Sequence, residues 1–438
     1  MLAQLKLLID GVRAHPGFRR YFANTSWMFA EQILRMLVGL LVGIWVARFL
    51  GPAQFGVFSY AIAFAALFGS LAKLGLDSIV IRDLVRNADR LELYMGTVFW
   101  LKMLGATIML AAMLLAIHLT SNDSTTNLYI FIIGSGTLFQ SFEVIDFYFQ
   151  SQVLSKFVSY CRLTQLLISS LLKLYFILVG AELIWFVVVS LIDQVTLAFT
   201  LYLAYRYRRT GVSLWQFDFH TAKLLLRESW PLVISGLVVT IYMRIDQVMI
   251  KEMLGDEQVG LYSAAVRLSE GWYFVPVIMT NSLFPAVVRA KEISLKLYHT
   301  RLQRLYTFVV WMAIAFALPM TFLSDWLVVL LYGEAFRAAG PVLMVHVWAG
   351  VFVALGVASS SWFVSENLQR LAFYRTFLGA AINVGLNLLM IPAFGMLGAA
   401  VATIISQSMA AFFFDLLTKR TRMAFFMKLR TLGFSSLN

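Results

Sequence analysis

The sequence predicts an all-α integral membrane protein, with twelve transmembrane helices arranged in two six-helix bundles. First, 61% of the 438 residues are hydrophobic and only 13% are charged, whereas soluble domains are about half apolar and about a quarter charged. Second, the apolar residues form separate stretches of membrane-spanning length. Third, a segment of the first half of the chain recurs in the second half. Together these observations exclude a soluble globular domain, a disordered chain and a disulfide scaffold.

A spanning helix needs roughly 20 mostly apolar residues. Twelve such stretches lie near residues 25–49, 56–81, 96–118, 128–151, 157–179, 183–205, 230–250, 259–287, 304–323, 338–364, 371–391 and 396–417. Residues 323–333 are open to two interpretations, a short interfacial helix or a continuation of the ninth span.

The basic residues predict the orientation of these spans. Most of the 35 Lys and Arg fall at the two ends and in alternate loops, and only Arg48, Lys251 and Arg337 fall in loops of the opposite side. Cytoplasmic loops carry an excess of Lys and Arg, so both termini are expected in the cytoplasm. Residues 1–24 contain no long apolar core, so we expect no signal peptide.

The spans divide the chain into five parts, and two of the cytoplasmic stretches are long and basic. The parts are a cytoplasmic segment (1–24), an N-terminal six-helix lobe (25–205), a cytoplasmic linker (206–229), a C-terminal six-helix lobe (230–418) and a basic cytoplasmic tail (419–438). Within the second lobe, residues 288–303 alternate apolar and basic side chains at helical spacing. This pattern fits a helix on the inner leaflet or a simple solvated connector.

The internal repeat joins the first two spans of each half. ARFLGPAQFGVFSYAIAF (47–64) aligns without gaps to KEMLGDEQVGLYSAAVRL (251–268), with six of eighteen positions identical. Because each half contains an even number of spans, the halves have the same orientation, as in transporters built from parallel repeats. We therefore expect two bundles with alternating access, although duplication without transport is the alternative.

Charged residues inside spans are costly, so they face a partner or water. In span one, Glu31 and Arg35 share a helical face with Gly39 and Gly43, which fits a cavity wall or an internal ion pair beside a packing seam. In span two, a continuous small and polar stripe runs from Ser59 through Lys73 to Asp77. The alignment of the repeat maps the Ser59 end of this stripe onto Ser263, Arg267 and Glu270 of span eight. The same face is therefore polar in both halves, which favours a cavity shared by both halves.

Span seven carries Arg244 and Asp246, which point to nearly opposite faces of a helix. Asp246 is expected either to face the cavity or to pair with Arg267. If it pairs with Arg267, Arg244 remains free for the cavity.

Three further acids are candidates for ion coupling. Glu143 and Asp146 in span four lie close enough to repel each other, so one of them is expected to bind a proton unless an Arg neutralises them. Asp193 in span six is a further proton or sodium candidate. Lys102 and Lys173 are placed near span ends, where they can reach the headgroup region.

Other chemistries find no support in the sequence. The single Cys161 forms no internal disulfide, and there is no CxxC pair, P-loop, GxSxG elbow or HExxH motif. We expect no catalytic residue, no metal centre and no nucleic-acid partner. Asn383, Asn387 and His346 are expected to make hydrogen bonds within the bundle.

Several segments resemble the polysaccharide flippases of the bacterial O-antigen (Wzx) type. RFLGPAQFGVFSYAIAFAALFGSLAKLGLDSIVIRDL (48–84) resembles the opening of that family, and MRIDQVMIKEMLGDEQVGLYSAAVRLSEGWYFVPVIMTNSLFPAV (243–287) resembles its middle segment. DFYFQSQVLSKF (146–157) and LYGEAFRAAGPVL (331–343) are similar to further stretches. The resemblance implies a fold similar to the multidrug and toxin extrusion (MATE) transporters of the MOP superfamily.

The resemblance also implies a function. Such flippases move undecaprenyl-diphosphate-linked oligosaccharide, for O-antigen or other surface polysaccharide, from the cytoplasmic to the periplasmic leaflet of the bacterial inner membrane. The expected partners are this lipid-linked oligosaccharide, membrane lipids, a polysaccharide polymerase and a chain-length regulator. No cofactor is expected beyond a coupling ion, H⁺ or Na⁺.

The candidate site residues follow from these expectations. Cationic candidates for the diphosphate headgroup are Arg35, Lys73, Arg244 and Arg267. Candidates for ion coupling or charge pairing are Glu31, Asp77, Glu143, Asp146, Asp193, Asp246 and Glu270. The competing functions are a drug or cation antiporter of the same fold, which should have an acidic cavity without free Arg, and a membrane glycan enzyme, for which the outer loops are too short.

Overall fold

The computed structural model describes residues 16–209 and 215–431, and the statements below concern those residues. Their regular secondary structure is entirely helical. They include ten helices long and apolar enough to cross a membrane, and their bounds are Ala30–Leu67, Leu91–Ile117, Ser124–Ser151, Ser155–Leu178, Leu183–Arg208, Phe219–Leu254, Asp256–Ile293, Leu295–Tyr332, Ala339–Ser365 and Gln369–Leu416. The predicted all-α membrane class is therefore confirmed. Residues 1–15, 210–214 and 432–438 of the predicted cytoplasmic segments lie outside the described residues.

The chain forms two compact units. Unit one contains the described residues up to Val46 together with Ala65–Leu237, and unit two contains Ala47–Phe64 together with the described residues from Val238 onward. The segment 47–64, which carries the first copy of the repeat, thus belongs to the unit that contains the second copy.

The helices of the first half differ greatly in length. They are α1 (Pro16–Leu67), α2 (Gly69–Lys73), α3 (Asp77–Arg86), α4 (Leu91–Ile117), α5 (Ser124–Ser135), α6 (Val144–Ser151), α7 (Ser155–Leu178) and α8 (Leu183–Arg208). The segment Gly136–Glu143, between α5 and α6, is a 3₁₀ helix. A core of buried apolar side chains, among them Met95, Phe149 and Leu201, holds unit one together.

The second half continues with longer helices. They are α9 (Phe219–Leu254), α10 (Asp256–Glu270), α11 (Phe274–Ile293), α12 (Leu295–Tyr332), α13 (Ala339–His346), α14 (Ala349–Ser365), α15 (Gln369–Ala411) and α16 (Arg422–Thr431). Phe413–Leu416 adds a 3₁₀ turn before α16. The core of unit two includes the fully buried Tyr306, Val310 and Ala358.

Two of the long helices are interrupted by a glycine with positive φ. Gly51 interrupts α1 and Gly395 interrupts α15. The chain reverses direction at Gly395. This follows from a hydrogen bond across the break, in which the Nδ2 of Asn383 donates to the Oγ of Ser406 at 3.3 Å. Two residues so far apart in one straight helix would be separated by roughly 35 Å. The two parts of α15 therefore form an antiparallel hairpin, and only a residue without a Cβ adopts this turn at low cost.

The predicted second span is wrong as a single helix. Helix α1 ends at Leu67, α2 covers only Gly69–Lys73, and α3 begins at Asp77. Leu74 and Gly75 both have positive φ, which ends α2. The polar stripe from Ser59 to Asp77 is consequently divided among separate helices, because two glycines in eight residues weaken the helix at that level.

The structure also decides between the alternatives for two loops. Residues 323–332 continue α12, so the interpretation as a separate interfacial helix is wrong. Residues 288–303 are neither a separate surface helix nor a solvated connector. They are the end of α11 and the start of α12, and Ser294 between them caps α12 by accepting a hydrogen bond from the amide of Leu297 at 3.1 Å.

Candidate functional site

Asp246 in α9 is a buried carboxylate of unit two whose hydrogen-bond partners are all neutral. Its Oδ2 accepts from the hydroxyl of Thr403 at 2.6 Å and from that of Tyr262 at 2.9 Å. Its Oδ1 accepts from the Nδ2 of Asn387 at 2.8 Å. Among the ion pairs of the described residues, none includes Asp246. An anionic carboxylate buried without a cation is costly, so this group favours the binding of a proton or a cation.

The chain reversal at Gly395 assembles this site. Asn387 lies on the first part of α15 and Thr403 on the second, so the hairpin brings both to Asp246. Asn387 also donates to the Oδ1 of Asn383 at 3.2 Å. The expectation that Asn383 and Asn387 make hydrogen bonds between helices is confirmed.

A small polar cavity adjoins Asp246. Its volume is about 10 Å³, and its lining includes Tyr242, Gln247, Glu270 and His346. A space of that size holds about one water molecule. The Oδ1 of the buried Asn387 has no hydrogen-bond partner. An unsatisfied acceptor beside a carboxylate suits a small hard cation, which prefers oxygen ligands, although the described residues hold no group of three or more His, Cys, Asp or Glu able to bind a metal ion.

Of the two alternatives for Asp246, the one in which it pairs with Arg267 and leaves Arg244 free is wrong. Arg244, on the opposite face of α9, reaches Glu270 of α10 instead, with 3.3 Å between Nη2 and Oε2. Arg267 is exposed, and no ion pair of the described residues includes it. The difference from the predicted pairing has a geometric cause. Asp246 points toward the α15 hairpin, whose side chains supply hydrogen-bond donors to its carboxylate. His346 makes its hydrogen bond to the Oγ of Ser269, as expected, at 2.9 Å.

In unit one, Arg162 connects the acids of two helices. Its Nη2 donates to Asp146 at 2.7 Å, and its Nη1 lies 3.8 Å from Glu31. Glu31 is also 3.1 Å from the Nε of Arg35, so the internal pair expected in span one is present. Arg35 keeps 41% of its side chain exposed. Arg162 was missed by the sequence analysis, because its partners are distant in the chain.

A second charged group of unit one is centred on Lys102. Its Nζ donates to Glu143 at 2.8 Å and lies 3.5 Å from Asp77. The expectation that Lys102 lies near a span end and reaches the headgroup region is wrong, because it lies well inside Leu91–Ile117 and its side chain, 2% exposed, is buried against these acids. Glu143 and Asp146 thus each lie beside a cation of their own, as in the alternative in which a neighbouring cation neutralises them. Lys73 is exposed at the end of α2.

The fifth candidate acid of unit one is also paired. Asp193 of α8 lies 3.4 Å from the Nζ of Lys173 in α7, and Lys173 donates to the Oγ of Ser169 at 2.7 Å. Of the acids predicted for ion coupling, Asp246 is thus the one whose partners in the described structure are neutral donors.

The comparisons with known proteins agree with this architecture. The family model described as polysaccharide biosynthesis protein matches residues 21–291, more than half of the chain. Among curated proteins, the probable low-salt glycan biosynthesis flippase Agl15 of Haloferax volcanii is 24% identical over 208 residues, 47% of this chain and 43% of the relative. An uncharacterized membrane protein of Methanocaldococcus jannaschii is 21% identical over 42% of this chain and 43% of its own. The chain thus spans less than half the length of these curated relatives.

Solved structures show the fold. The lipid II flippase MurJ in an inward closed conformation superposes with a TM-score of 0.73 at 13% identity, covering 92% of this chain and 90% of that one. An inward-facing MATE family transporter gives a TM-score of 0.67 at 15% identity, covering 92% and 96% of the two chains. The chain therefore has the fold of these two transporters.

Proposed function

The chain belongs to the polysaccharide biosynthesis protein family, and on that premise we propose that it is a flippase for lipid-linked oligosaccharide. The family match carries the proposal. The name of the Haloferax relative, a glycan biosynthesis flippase, supports it. The substrate is a polyprenyl diphosphate that bears the oligosaccharide repeat unit of a surface polysaccharide such as O-antigen. It moves from the cytoplasmic to the outer leaflet of the cytoplasmic membrane, which in a bacterium is the inner membrane.

The open cations of both units support a diphosphate substrate. Arg35 keeps 41% of its side chain exposed and Arg244 keeps 35%, although each has one carboxylate nearby. Lys73 and Arg267 are exposed. A cation at membrane depth needs water or an anion to solvate it, and guanidinium groups bind phosphate in a bidentate manner. Headgroup binding by these four residues is therefore part of the proposal.

Ion coupling at Asp246 is the second part. Binding of H⁺ to the carboxylate, or of Na⁺ in the neighbouring cavity, would neutralise Asp246. Release of the ion would leave a buried negative charge. Asp246, Asn387 and Thr403 lie on α9 and on both parts of α15, so the ion would change how these helices pack. Such a change is what alternating access requires.

The finer topology is also proposed. Dividing α1 at Gly51 and α15 at Gly395 gives twelve spans, six in each half, with both termini in the cytoplasm. The repeated segments 47–64 and 251–268 support a parallel pseudo-two-fold relation. A polysaccharide polymerase and a chain-length regulator are the expected partners in the membrane.

The test is the leaflet distribution of the repeat unit in cells that lack the protein but keep the glycan assembly enzymes. We expect lipid-linked repeat units to accumulate on the cytoplasmic face, surface polysaccharide to be lost, and the wild-type chain to restore it. Repeat units that still reach the outer leaflet in the deletion strain would contradict the proposal.

One observation favours a second function. Asp246 is a buried acid without a cation, as a cation antiporter of the same fold would need. The half-buried Arg244 and the exposed Arg267 argue against a cationic substrate, because they repel it. An antiporter would change the drug sensitivity of the deletion strain while the distribution of repeat units stayed normal, so the same experiment separates the two functions.

A further inference from the structure

We propose that unit two contains a separate site for the phosphate group of an anionic lipid, in a cavity of about 340 Å³ at the junction of α11 with α12. The proposal rests on the charges, helix ends and unsatisfied donor around this cavity, and it does not depend on the proposed function. None of its lining residues belongs to the Asp246 site or to the predicted headgroup cations.

Three helices begin at this cavity. Leu295 starts α12, Leu368 precedes α15 and Met423 lies in the first turn of α16, and all three residues line the space. No side chain caps the start of α15 at Leu368. The first amides of a helix lack partners within it, and the helix dipole places partial positive charge there. At α12 the side chain of Ser294 already accepts from one of these amides, but the dipoles of three helix ends around one cavity together favour an anion.

The side chains around the cavity carry more positive than negative charge. Lys291, Arg420 and His299 line it, and Glu366 is the carboxylate among the lining residues. Glu366 accepts from the Nζ of Lys291 at 2.8 Å and from the hydroxyl of Tyr298 at 2.6 Å. Burial acts to raise the pKa of Glu366, but these two hydrogen bonds, together with the positive charge of Lys291, hold the pKa below its ordinary value. Glu366 therefore stays ionised and orients Lys291, while the positive charge of Arg420 remains available.

A buried donor without a partner also lines the cavity. Trp362 is 2% exposed, and its Nε1 has no hydrogen-bond partner in the described structure. An unsatisfied buried N–H costs about 1–3 kcal/mol. A phosphate oxygen is a strong acceptor and would satisfy it.

The apolar part of the lining favours a lipid over a free phosphate ion. Leu295 is 63% exposed, and Leu368 and Met423 complete an apolar wall. The neighbouring chain is rich in basic residues and is expected on the cytoplasmic side, where anionic lipids concentrate. The ligand class is therefore an anionic phospholipid, with its phosphate at the helix ends and its acyl chains toward the bilayer.

The test uses the purified full-length protein in a mild detergent with three probes: dihexanoyl phosphatidic acid, dihexanoyl phosphatidylcholine and inorganic phosphate. Binding is measured as a rise in unfolding temperature and as bound lipid in native mass spectrometry. The double variant Lys291→Gln with Arg420→Gln should bind phosphatidic acid about tenfold more weakly or worse, since it loses two charge-assisted contacts. The control double variant, Lys296→Gln with Arg370→Gln, removes the same charge from exposed positions that do not line the cavity, and should bind like the wild type.

A second variant covers the case in which Lys291→Gln disturbs the fold through Glu366. Trp362→Phe keeps the ring but removes the N–H, and should weaken phosphatidic acid binding about fivefold. Tighter binding of phosphatidic acid than of inorganic phosphate assigns the site to a lipid, and equal affinity assigns it to free phosphate. Equal binding of phosphatidylcholine, or equal loss in the pocket and control variants, would overturn the proposal.

Discussion

Gly56 and Gly260 are equivalent positions of the internal repeat, and each lies against the backbone of the other copy. A Cβ at Gly56 would overlap the carbonyl oxygen of Asp256, and a Cβ at Gly260 would overlap the carbonyl oxygen of Pro52. Pro52 and Asp256 are themselves equivalent positions in the aligned segments. The contact is therefore reciprocal, as a local two-fold relation between the two copies requires. It also explains why segment 47–64 belongs to unit two.

Adding a methyl group at this contact should separate the two segments. For Gly260→Ala we expect a loss of about 1–3 kcal/mol of stability, because the clash is with backbone rather than with a movable side chain. The unfolding temperature of the purified protein should fall accordingly, and Gly56→Ala should have the same effect.

Gly39→Ala is the matched control for this substitution. Gly39 lies in the first part of α1, before the break at Gly51, and nothing lies within 4 Å of its added Cβ. Alanine is a better helix former than glycine, so this variant should be as stable as the wild type or more so. If Gly39→Ala and Gly260→Ala behave alike, the reciprocal contact has no energetic importance.

Asp246→Asn should uncouple transport from the ion gradient. The amide keeps an acceptor for Thr403 and Tyr262 but removes the charge that a proton or Na⁺ would neutralise. We expect a folded protein in proteoliposomes whose flipping rate no longer responds to pH or Na⁺. Asp193→Asn, at an acid already paired with Lys173, is the comparison and should retain the response. A response that survives in Asp246→Asn would exclude this carboxylate as the coupling site.

The sequence predicted the fold class and the repeat because both depend on local pattern. Apolar stretches of spanning length are visible without tertiary information, and so are the paired glycines of the repeat.

A second repeated element could not be recognised from the sequence. Val153 and Asn367 both have positive φ, and the amides of the next residues, Leu154 and Leu368, donate to Phe149 and Phe363 at 2.8 Å in each case. Neither position is a glycine, and although Asn at position 367 tolerates positive φ, the β-branched Val153 gives no sign of the turn.

The charge pairing could not be predicted, because it depends on which helices are neighbours. Lys102 and Arg162 lie in different spans from most of their acids, and no spacing rule connects them. The Asp246 site posed the same difficulty. Asp246 itself was a candidate, but Thr403 and Tyr262 have no distinguishing sequence signal until the hairpin at Gly395 brings α15 to α9.

Arg162→Gln should strongly destabilise unit one. The substitution leaves the buried Asp146 without its cation and removes one of the two cations near Glu31. Breaking a buried ion pair on one side costs about 3–5 kcal/mol, measured as a fall in unfolding temperature. The double variant Arg162→Gln with Asp146→Asn removes the uncompensated charge and should recover much of the loss. A double variant no more stable than the single one would show that packing, rather than charge, determines the effect.

The buried pair of Lys428 and Asp415 provides a test of stability against pH. Both side chains are fully buried, with 2.6 Å between Nζ and Oδ2. Lys428 also donates to the carbonyl oxygen of Ala411 at 2.6 Å. Burial lowers the pKa of Lys428 to about 8, although the negative charge of Asp415 acts in the opposite direction. In the unfolded chain the pKa of lysine is about 10.4.

The sign of the pH effect follows from these two values. Between pH 8 and about 10.4 the unfolded chain binds the Lys428 proton more fully than the folded chain, so the contribution of this group to stability increases with pH. The increase should be absent below pH 8 and absent in Lys428→Met. That variant leaves the carboxylate of Asp415 buried without a cation and should itself be about 3–5 kcal/mol less stable at neutral pH. Adding Asp415→Leu should restore most of this loss, because two apolar side chains then pack where the ion pair was. A wild-type unfolding temperature that stays flat or falls from pH 8 to 10, in parallel with that of Lys428→Met, would show that Lys428 keeps its proton in the folded chain.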